Sequence, residues 1–306
     1  MKKDWVEQYW RYMAASDFEN AMLLKGMNFP ASFFKYRRLS TLSLENIQDN
    51  YIWLADIVSL NDPFECALQF DNDACLRLVF ASAEFQSRFT KITGHVLTNE
   101  DISAVVASPK PFELYLTLCK KKGIPNQLTQ EDQLKRLQVR GAEIVDEGNQ
   151  NLAVCSFCLV KDSLLLWSHY SSEHKGICIE YDFENVNIIN TFIQPVNYRN
   201  TVHKIGTFED YTSMQVIAAS LIKSEDWLYE QEWRFTMFKK HKNFIQKFPV
   251  PSPKAIYLGT RFHLNDEPLK KSLFQLAAER KIPLFQMVKH PEEFRLIKGE
   301  ELFTEF

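Results

Sequence analysis

The chain has 306 residues, of which 45% are hydrophobic and 25% charged, with 24 Phe and only 9 Gly. So many apolar side chains can offset the entropy cost of ordering the chain, which excludes disordered, collagenous and low-complexity proteins. Neither a G-x-G-x-x-G nor a G-x-x-x-x-G-K-[ST] motif occurs, which disfavours Rossmann dehydrogenases and P-loop NTPases. The net charge of −3 disfavours a wholly basic nucleic-acid-binding surface and leaves a local basic groove open.

The predicted elements begin with an N-terminal helix over residues 1–28, where apolar residues recur at helical spacing before Gly26. A strand at Phe33–Arg37, a helix from about Thr41 to Asp49 and a strand at Tyr51–Ala55 follow. Polar helical patterns interrupted by Gly and Pro then predict a helical insertion over residues 73–150.

Strands return after the insertion, at 152–158, 176–182, 188–193, 194–198, 233–237, 255–259 and 284–288, with helices between several of them. No repeat or linker divides the chain. We therefore expect one α+β domain over residues 1–306, built on a single mixed or antiparallel sheet, with the N-terminal helix and the insertion added to it.

The N-terminus carries charges throughout the region that would be apolar in a signal peptide, and no run of 18 apolar residues occurs. This predicts a cytoplasmic protein with no membrane partner and with reduced, mostly buried cysteines. The pair Cys155 and Cys158 has no second pair, and a spacing of three on a strand points side chains to opposite faces. His169 and His174 do not fit a zinc motif either, so we expect no metal site.

Two segments are candidates for binding or chemistry. The first, Leu166–Gly176, is dense in Ser, His, Tyr and Glu side chains, which either bind a ligand or cap a helix end. The second is Glu230-x-Glu232 at the start of a predicted strand, where both carboxylates and Arg234 would share one face. Such an arrangement fits a structural ion pair with Arg234 or a working acid pair.

The structure can test the catalytic hypotheses for Glu230 and Glu232. A structure in which Glu230 and Glu232 are buried in complete ion pairs, with no adjoining cleft, would remove the basis for the catalytic hypotheses. Arg37 and Arg38, between a strand and a helix, are either an anion site or a solvated pair.

The order of several motifs from about residue 33 to 260 resembles the bacterial domain-of-unknown-function family 2971. These motifs are Phe34-Lys35-Tyr36-Arg37, Asn61-Asp62-Pro63-Phe64-Glu65, Trp167-Ser168-His169-Tyr170 with His174 and Gly176, Lys223, Trp227, Tyr229-Glu230 and Glu232-Trp233-Arg234. The resemblance covers most of the chain and implies no chemistry.

The chain also resembles, more distantly, ADP-ribosyltransferases of the R-S-E class, which combine an Arg on the first strand, a Ser-containing strand and a Glu-x-Glu. This resemblance implies an ADP-ribosyltransferase-like sheet and NAD as substrate, with Glu232 and Glu230 catalytic. It further implies that Arg37 holds the NAD diphosphate, that Tyr36 or Tyr170 stacks on nicotinamide, and that Ser168 and His169 complete the cofactor site. A Ser-Thr-Ser motif is missing from the second strand.

The resulting hypothesis is an NAD-consuming transferase that modifies RNA, DNA or a protein, as a bacterial toxin or antiviral defence effector with a neutralising antitoxin partner. Lysine runs at 120–122 and 239–242 could receive a nucleic acid. Two alternatives stay open. One is a metal-dependent nuclease using Asp62, Glu65, Glu230 and Glu232. The other is a non-catalytic binding or sensing module in which the acidic motifs are structural.

Overall fold

The structure is a computed structural model that describes residues 4–125 and 129–302. Its α-helices are α1 (Asp4–Ala14), α2 (Phe18–Met27), α3 (Thr41–Gln48), α4 (Asn72–Ala81), α5 (Ala83–Thr93), α6 (Asn99–Ala107), α7 (Pro111–Lys121), α8 (Gln130–Gln150), α9 (Leu164–Tyr170), α10 (Asn187–Phe192), α11 (Ser213–Ser220) and α12 (Glu267–Arg280). Short 3₁₀ helices lie at Ile57–Ser59, Phe208–Asp210, Glu225–Glu230 and Phe262–Leu264.

The strands are β1 (Phe33–Arg37), β2 (Tyr51–Trp53), β3 (Ala55–Asp56), β4 (Leu68–Phe70), β5 (Leu152–Phe157), β6 (Ile177–Tyr181), β7 (Ile193–Pro195), β8 (Asn197–Tyr198), β9 (His203–Ile205), β10 (Ile222–Lys223), β11 (Trp233–Phe238), β12 (Lys247–Pro249), β13 (Ala255–Leu258), β14 (Leu284–Lys289) and β15 (Leu296–Glu301). This mixture of helices and open mixed sheets confirms the α+β class.

The chain divides into two compact units. Unit 1 holds the described residues of Met1–Pro63, Asn151–Asn200 and Leu221–Phe306, and unit 2 holds those of Phe64–Gln150 and Thr201–Ser220. The predicted helical segment 73–150 contains α4 to α8 and is grouped with residues 64–72 and 201–220 in unit 2. The interpretation of residues 1–306 as one domain with an insertion stays a prediction.

Unit 1 is built on two larger sheets, with strand orders β1-β6-β13-β14-β15 and β3-β5-β11-β7. The first is mixed, because β13 and β14 are parallel while its other neighbours are antiparallel. An isolated bridge between Phe34 and Cys158 links the end of β5 to β1. Two sheets therefore replace the single sheet that we expected from the sequence.

The main core of unit 1 lies between these sheets. Phe33 of β1 packs edge-on against Phe157 of β5 and Trp233 of β11, with ring centroids 6.1 and 5.6 Å apart. Because side chains alternate along a strand, Phe34 and Tyr36 point to the other face of β1 and join a smaller core with Trp167, which is fully buried. Strand β1 thus packs on both faces.

Unit 2 has its own core among α4 to α8, in which Phe80 stacks on Tyr115 at 4.9 Å. Its short parallel pair, β4 and β9, brings residues 68–70 beside 203–205. The ring of Phe208 packs against that of Phe70 in β4, with the ring centroids 4.7 Å apart.

The N-terminal helix that the spacing predicts over 1–28 is two helices, α1 and α2. The break has a local cause: Ser16 adopts a left-handed φ of 59°, and Asp17 then caps α2 by accepting a hydrogen bond from the backbone N–H of Asn20. Lys25 of α2 is buried and donates to the backbone carbonyls of Asn190 and Ile193, at 2.6 and 3.1 Å.

All six cysteines are buried, and none of them forms a disulfide bond with another described residue, as we expected. Cys155 and Cys158 belong to different cores, which agrees with the opposite orientations that their spacing predicts. Within the described residues, none of the helices combines the length and the apolar character that crossing a membrane requires.

Candidate functional site

A buried cluster of two acidic and two basic side chains lies at the start of β11, and Lys223 of β10 is at its centre. The Lys223 Nζ atom is 2.6 Å from Glu230 Oε2 and 3.0 Å from Glu232 Oε2. The side chains of Lys223, Glu230 and Glu232 are 5, 6 and 3% exposed. The two carboxylates of the Glu-x-Glu motif therefore converge on one ammonium group away from water.

The remaining carboxylate oxygens also have partners. Glu232 Oε1 accepts from the Arg234 guanidinium through Nε and Nη2, each at 2.8 Å. Glu230 Oε1 accepts from the Tyr170 hydroxyl at 2.8 Å. All four oxygens are thus occupied, and two positive charges balance two negative ones in what we call the Lys223 cluster: Tyr170, Lys223, Glu230, Glu232 and Arg234.

The backbone that brings the two glutamates together differs from the expected strand. Glu230 ends the 3₁₀ helix Glu225–Glu230, Gln231 has a left-handed φ of 44°, and Glu232 directly precedes β11. The backbone N–H of Glu232 donates to the Tyr198 hydroxyl at 2.8 Å, which fixes this corner. The carboxylates share one side because of this turn rather than because of strand alternation.

The pKa shifts of the two glutamates have opposite signs. Burial raises the pKa of Glu230 and outweighs the attraction of Lys223. Burial also acts against ionisation of Glu232, but the charges of Arg234 and Lys223 outweigh it and lower its pKa to about 2. The cluster thus holds one firmly ionised carboxylate and one that takes up a proton more readily.

Aromatic rings surround the Lys223 cluster. The Lys223 ammonium lies 4.7 Å from the centre of the half-buried Trp227 ring, in cation–π geometry. Tyr170 is half-buried, and burial followed by the charge of Glu230 raises its pKa. Tyr170 and Trp227 are thus partly exposed, whereas the charged side chains of the cluster are buried.

Of the predicted cofactor residues, Arg37 lies on the same side of β1 as Lys35. Burial lowers the pKa of the Lys35 amine, and the positive charge of Arg37 lowers it further. The negative charge of Glu232 raises the same pKa, so the charges of Arg37 and Glu232 both reach the Lys35 amine. That amine donates to the Ser156 carbonyl at 2.6 Å, and the Ser156 side chain hydrogen-bonds Glu232. Arg37 and Glu232 are therefore both electrostatic neighbours of Lys35.

Tyr36 is directed to the opposite face of β1 from Arg37, since neighbouring residues of a strand alternate. Its ring is buried 5.1 Å from that of Trp167, and its hydroxyl donates to the Val160 carbonyl. The structure therefore does not bring Tyr36 and Arg37 together in one site.

The predicted residues of α9 also separate. Ser168 and Tyr170 are two positions apart, or about 200° around a helix. The Ser168 hydroxyl is 3.1 Å from His174 Nε2, whereas Tyr170 binds Glu230 and His169 is exposed. Only Tyr170 of these three joins the Lys223 cluster.

The segment after α9 contains three consecutive non-glycine residues in the left-handed region. Ser172, Glu173 and His174 have φ values of 46, 56 and 69°, although each such residue costs about 1–2 kcal/mol. The surrounding backbone holds this turn: Arg261 N–H donates to the His174 carbonyl at 3.0 Å. A side chain at Gly259 would collide with the same carbonyl, so glycine is required there.

A cavity of about 270 Å³ lies beside Glu232, lined among others by Trp5 of α1, Tyr198, Arg199 and Trp233. The sequence-based criterion for discarding catalysis is therefore met only in part: both acids are in complete ion pairs, but a cavity adjoins one of them. The assignments of Glu230 and Glu232 as catalytic, and of Arg37, Tyr36, Ser168, His169 and Tyr170 as cofactor-binding, stay predictions.

The sequence analysis did not predict the central role of Lys223, which it names only among the family motifs. Its signal is a lysine at the end of the apolar run Leu221–Ile222, seven residues before Glu230. Over the described ranges, no three His, Cys, Asp or Glu side chains are grouped so that they could hold a metal ion.

Comparison with known families supports the first resemblance over part of the chain. The sequence profile of the family described as "Protein of unknown function (DUF2971)" matches residues 166–235. Comparisons with curated proteins and with solved structures found no match. Residues 166–235, which contain every member of the Lys223 cluster, are therefore similar to the DUF2971 family.

Proposed function

We propose that the protein is an NAD-consuming ADP-ribosyltransferase in which Glu230 is the active carboxylate. The observation that carries this proposal is the contact of the Glu230 carboxylate, whose pKa is raised, with the half-buried Tyr170 hydroxyl. A carboxylate with a raised pKa is a stronger base than an ordinary carboxylate, which suits it to accept a proton from an acceptor group. The more distant resemblance to R-S-E transferases supplies the substrate.

The proposed reaction breaks the bond between C1′ of the ribose and the nicotinamide nitrogen, and nicotinamide leaves with the electron pair. An oxygen or nitrogen of the acceptor forms the new bond to C1′ and loses its proton to Glu230. Arg37 would hold the diphosphate, because a guanidinium binds phosphate oxygens in pairs. Tyr170 would give up its hydrogen bond to Glu230 when the ribose enters.

The roles of the two acids differ from those that the resemblance implies. Glu232 is held at both oxygens by Arg234 and Lys223, and its lowered pKa makes it a weak base. We therefore assign Glu232 to positioning: it fixes Lys223, which in turn holds Glu230. Glu230 has one oxygen on a neutral hydroxyl that a substrate hydroxyl can replace.

A second candidate is the non-catalytic binding module. The observation that favours it is that all four carboxylate oxygens of the Lys223 cluster have partners. In that case the cluster only fixes the corner before β11. The nuclease hypothesis has no comparable support, because Lys223 and Arg234 bind the two carboxylates that it would assign to the metal.

The acceptor stays a proposal as well, with RNA, DNA and protein as the classes to test and an antitoxin as a further partner. Of the lysine runs that could receive a nucleic acid, Lys122 binds Asp101 and Lys239 binds Asp56. The other lysines of both runs are exposed: Lys120, Lys121, Lys240 and Lys242. Each run therefore offers two exposed lysines to a phosphate backbone.

The test is nicotinamide release from NAD, together with transfer of labelled ADP-ribose to RNA, DNA or lysate protein. We expect both with the unchanged protein. Glu230→Gln should abolish both, and the exposed Glu300→Gln is the matched control that should retain both. Unfolding midpoints of all variants separate lost chemistry from lost structure.

The outcomes distinguish the two candidates. Absence of nicotinamide release and transfer with the unchanged protein, over a range of acceptors, contradicts the transferase. Calorimetric binding of NAD without turnover would then support the binding module. Equal transfer by Glu230→Gln and the unchanged protein would contradict the assigned role of Glu230 even if transfer occurs.

A further inference from the structure

A second cavity of unit 1 lies between the turn after α9 and the connection from β14 to β15. Its volume is about 440 Å³, within the size range of small-molecule sites. The lining includes His174, Arg261, Lys289 and Phe294. It is separate from the Lys223 cluster, because Ser168 and Tyr170, which contact His174 and Glu230, lie on opposite sides of α9.

The cavity carries unpaired positive charge. Arg261 and Lys289 are exposed, and neither forms a salt bridge with another described residue. The lining also contains Arg295, Glu292 and Glu293, of which Arg295 and Glu293 neutralise each other in an ion pair. Three fixed cations against two carboxylates leave an excess of one positive charge, with Arg261 and Lys289 available to an anion.

His174 adds a buried ring nitrogen that no described residue contacts by a hydrogen bond. Its Nε2 lies 3.1 Å from the Ser168 hydroxyl, whereas its Nδ1 has no hydrogen-bond partner among residues 4–125 and 129–302. With Ser168 donating to Nε2, the proton of the neutral ring is on Nδ1, which is then a donor that lacks an acceptor. Buried donors are normally satisfied, and in this tautomer a ligand oxygen is the acceptor that Nδ1 would require.

The backbone of His174 is in the left-handed region, which is unfavourable for a non-glycine residue. It ends the left-handed turn Ser172–His174, and its ring stacks on the buried Trp167 at 6.5 Å with an interplanar angle of 13°. Strained backbone of this kind persists where the surroundings enforce it and is concentrated at binding and active sites. The turn therefore fixes His174 beside Arg261 rather than leaving it in a relaxed loop.

Phe294 supplies an apolar platform at the rim. It lies in the β14–β15 connection next to Arg295 and is fully exposed to solvent. An aromatic ring beside cations can stack on a nucleobase whose phosphates the cations bind. A buried packing role does not account for this side chain.

We propose that this cavity binds a nucleoside diphosphate, with the diphosphate on Arg261, Lys289 and the N–H of His174 and with the base stacked on Phe294. The proposal does not depend on the transferase reaction and makes no use of Glu230. The diphosphate is the group that the cations bind, and the base adds a second contact on Phe294.

The test is calorimetric titration of the full chain with ADP, pyrophosphate and adenosine. Arg261→Ala and Lys289→Ala should each weaken ADP and pyrophosphate about tenfold or more, whereas the exposed Lys271→Ala, which removes the same charge from α12, should change neither. Phe294→Ala should weaken ADP about tenfold and leave pyrophosphate unchanged. These exposed side chains can be removed without loss of folding, which unfolding midpoints will verify.

Several results would overturn the proposal. They are no binding of ADP or pyrophosphate at millimolar concentration, equal affinities of Arg261→Ala, Lys289→Ala and the unchanged protein, or binding of a single-stranded oligonucleotide without binding of ADP. Glu230→Gln should bind ADP normally at this cavity. Failure of the transferase test and failure of this one are therefore distinguishable.

Discussion

The Lys223 ammonium and the Glu230 carboxylate are 2.6 Å apart and almost fully buried, although they belong to a two-residue strand and a 3₁₀ helix. A buried ion pair of this kind contributes little net stability when complete, because both charges have lost their hydration. Removing one member is costly, because its partner stays buried without a counter-charge.

We predict that Lys223→Met destabilises the protein by about 3–5 kcal/mol, since two buried carboxylates would lose their shared cation. Urea unfolding measures this change, and the exposed Lys271→Met is the matched control that should stay within about 0.5 kcal/mol of the unchanged protein. Adding Glu230→Gln to Lys223→Met should restore part of the loss. A Lys223→Met protein as stable as its control would contradict this account of the cluster.

Local elements could be predicted from the sequence where the pattern is local. β1 has the predicted bounds Phe33–Arg37, and α3 begins at Thr41 as predicted, where Ser40 and Ser43 form a reciprocal cap. Alternation along β1 and the cap before α3 involve residues that are close along the chain. Such signals do not depend on how distant segments pair.

The site could be predicted only in part. The convergence of Glu230 and Glu232 was expected, but it depends on a left-handed Gln231, a conformation for which a non-glycine residue gives no sequence signal. The separation of Tyr36 from Arg37 follows from strand alternation and was open to prediction. The contact of Tyr170 with Glu230 joins positions 60 residues apart, which only the tertiary structure specifies.

Glu232 should make acid stability depend on pH in a defined window. Its folded pKa of about 2 lies below the ordinary value of 4.5, so the unfolded chain binds more protons between these values and stability rises with pH. The stabilisation is present above pH 4.5 and is lost as the pH falls toward 2. We predict that Glu232→Gln has a smaller rise in unfolding free energy than the unchanged protein over this window, measured by urea titration at several pH values.

Glu300→Gln is the control for that series, because its side chain is exposed and it should keep the slope of the unchanged protein. Glu230→Gln gives a comparison of opposite sign at pH above 4.5, outside the window of Glu232. The raised pKa of Glu230 means that its contribution is present at pH below 4.5 and lost as the pH rises through the folded value. Identical slopes for Glu232→Gln and Glu300→Gln would contradict the ionised state assigned to Glu232.

The two glycines Gly259 and Gly26 should respond oppositely to alanine. A side-chain carbon at Gly259 would collide with the His174 carbonyl, whereas nothing lies within 4 Å of one at Gly26 in α2. We predict that Gly259→Ala destabilises the protein by about 1–3 kcal/mol because the left-handed turn must shift. Gly26→Ala should stabilise it by about 0.5–1 kcal/mol, since alanine restricts the unfolded chain more.

Urea unfolding gives both values, and calorimetric titration adds a functional measurement. The Gly259→Ala substitution displaces the turn that holds His174, so pyrophosphate binding should weaken in this variant under conditions where it is still folded. Gly26→Ala should bind pyrophosphate as the unchanged protein does. Equal unfolding free energies for the two alanine variants would show that β13 does not hold the turn in place, because the close approach at Gly259 is the physical reason for the expected difference.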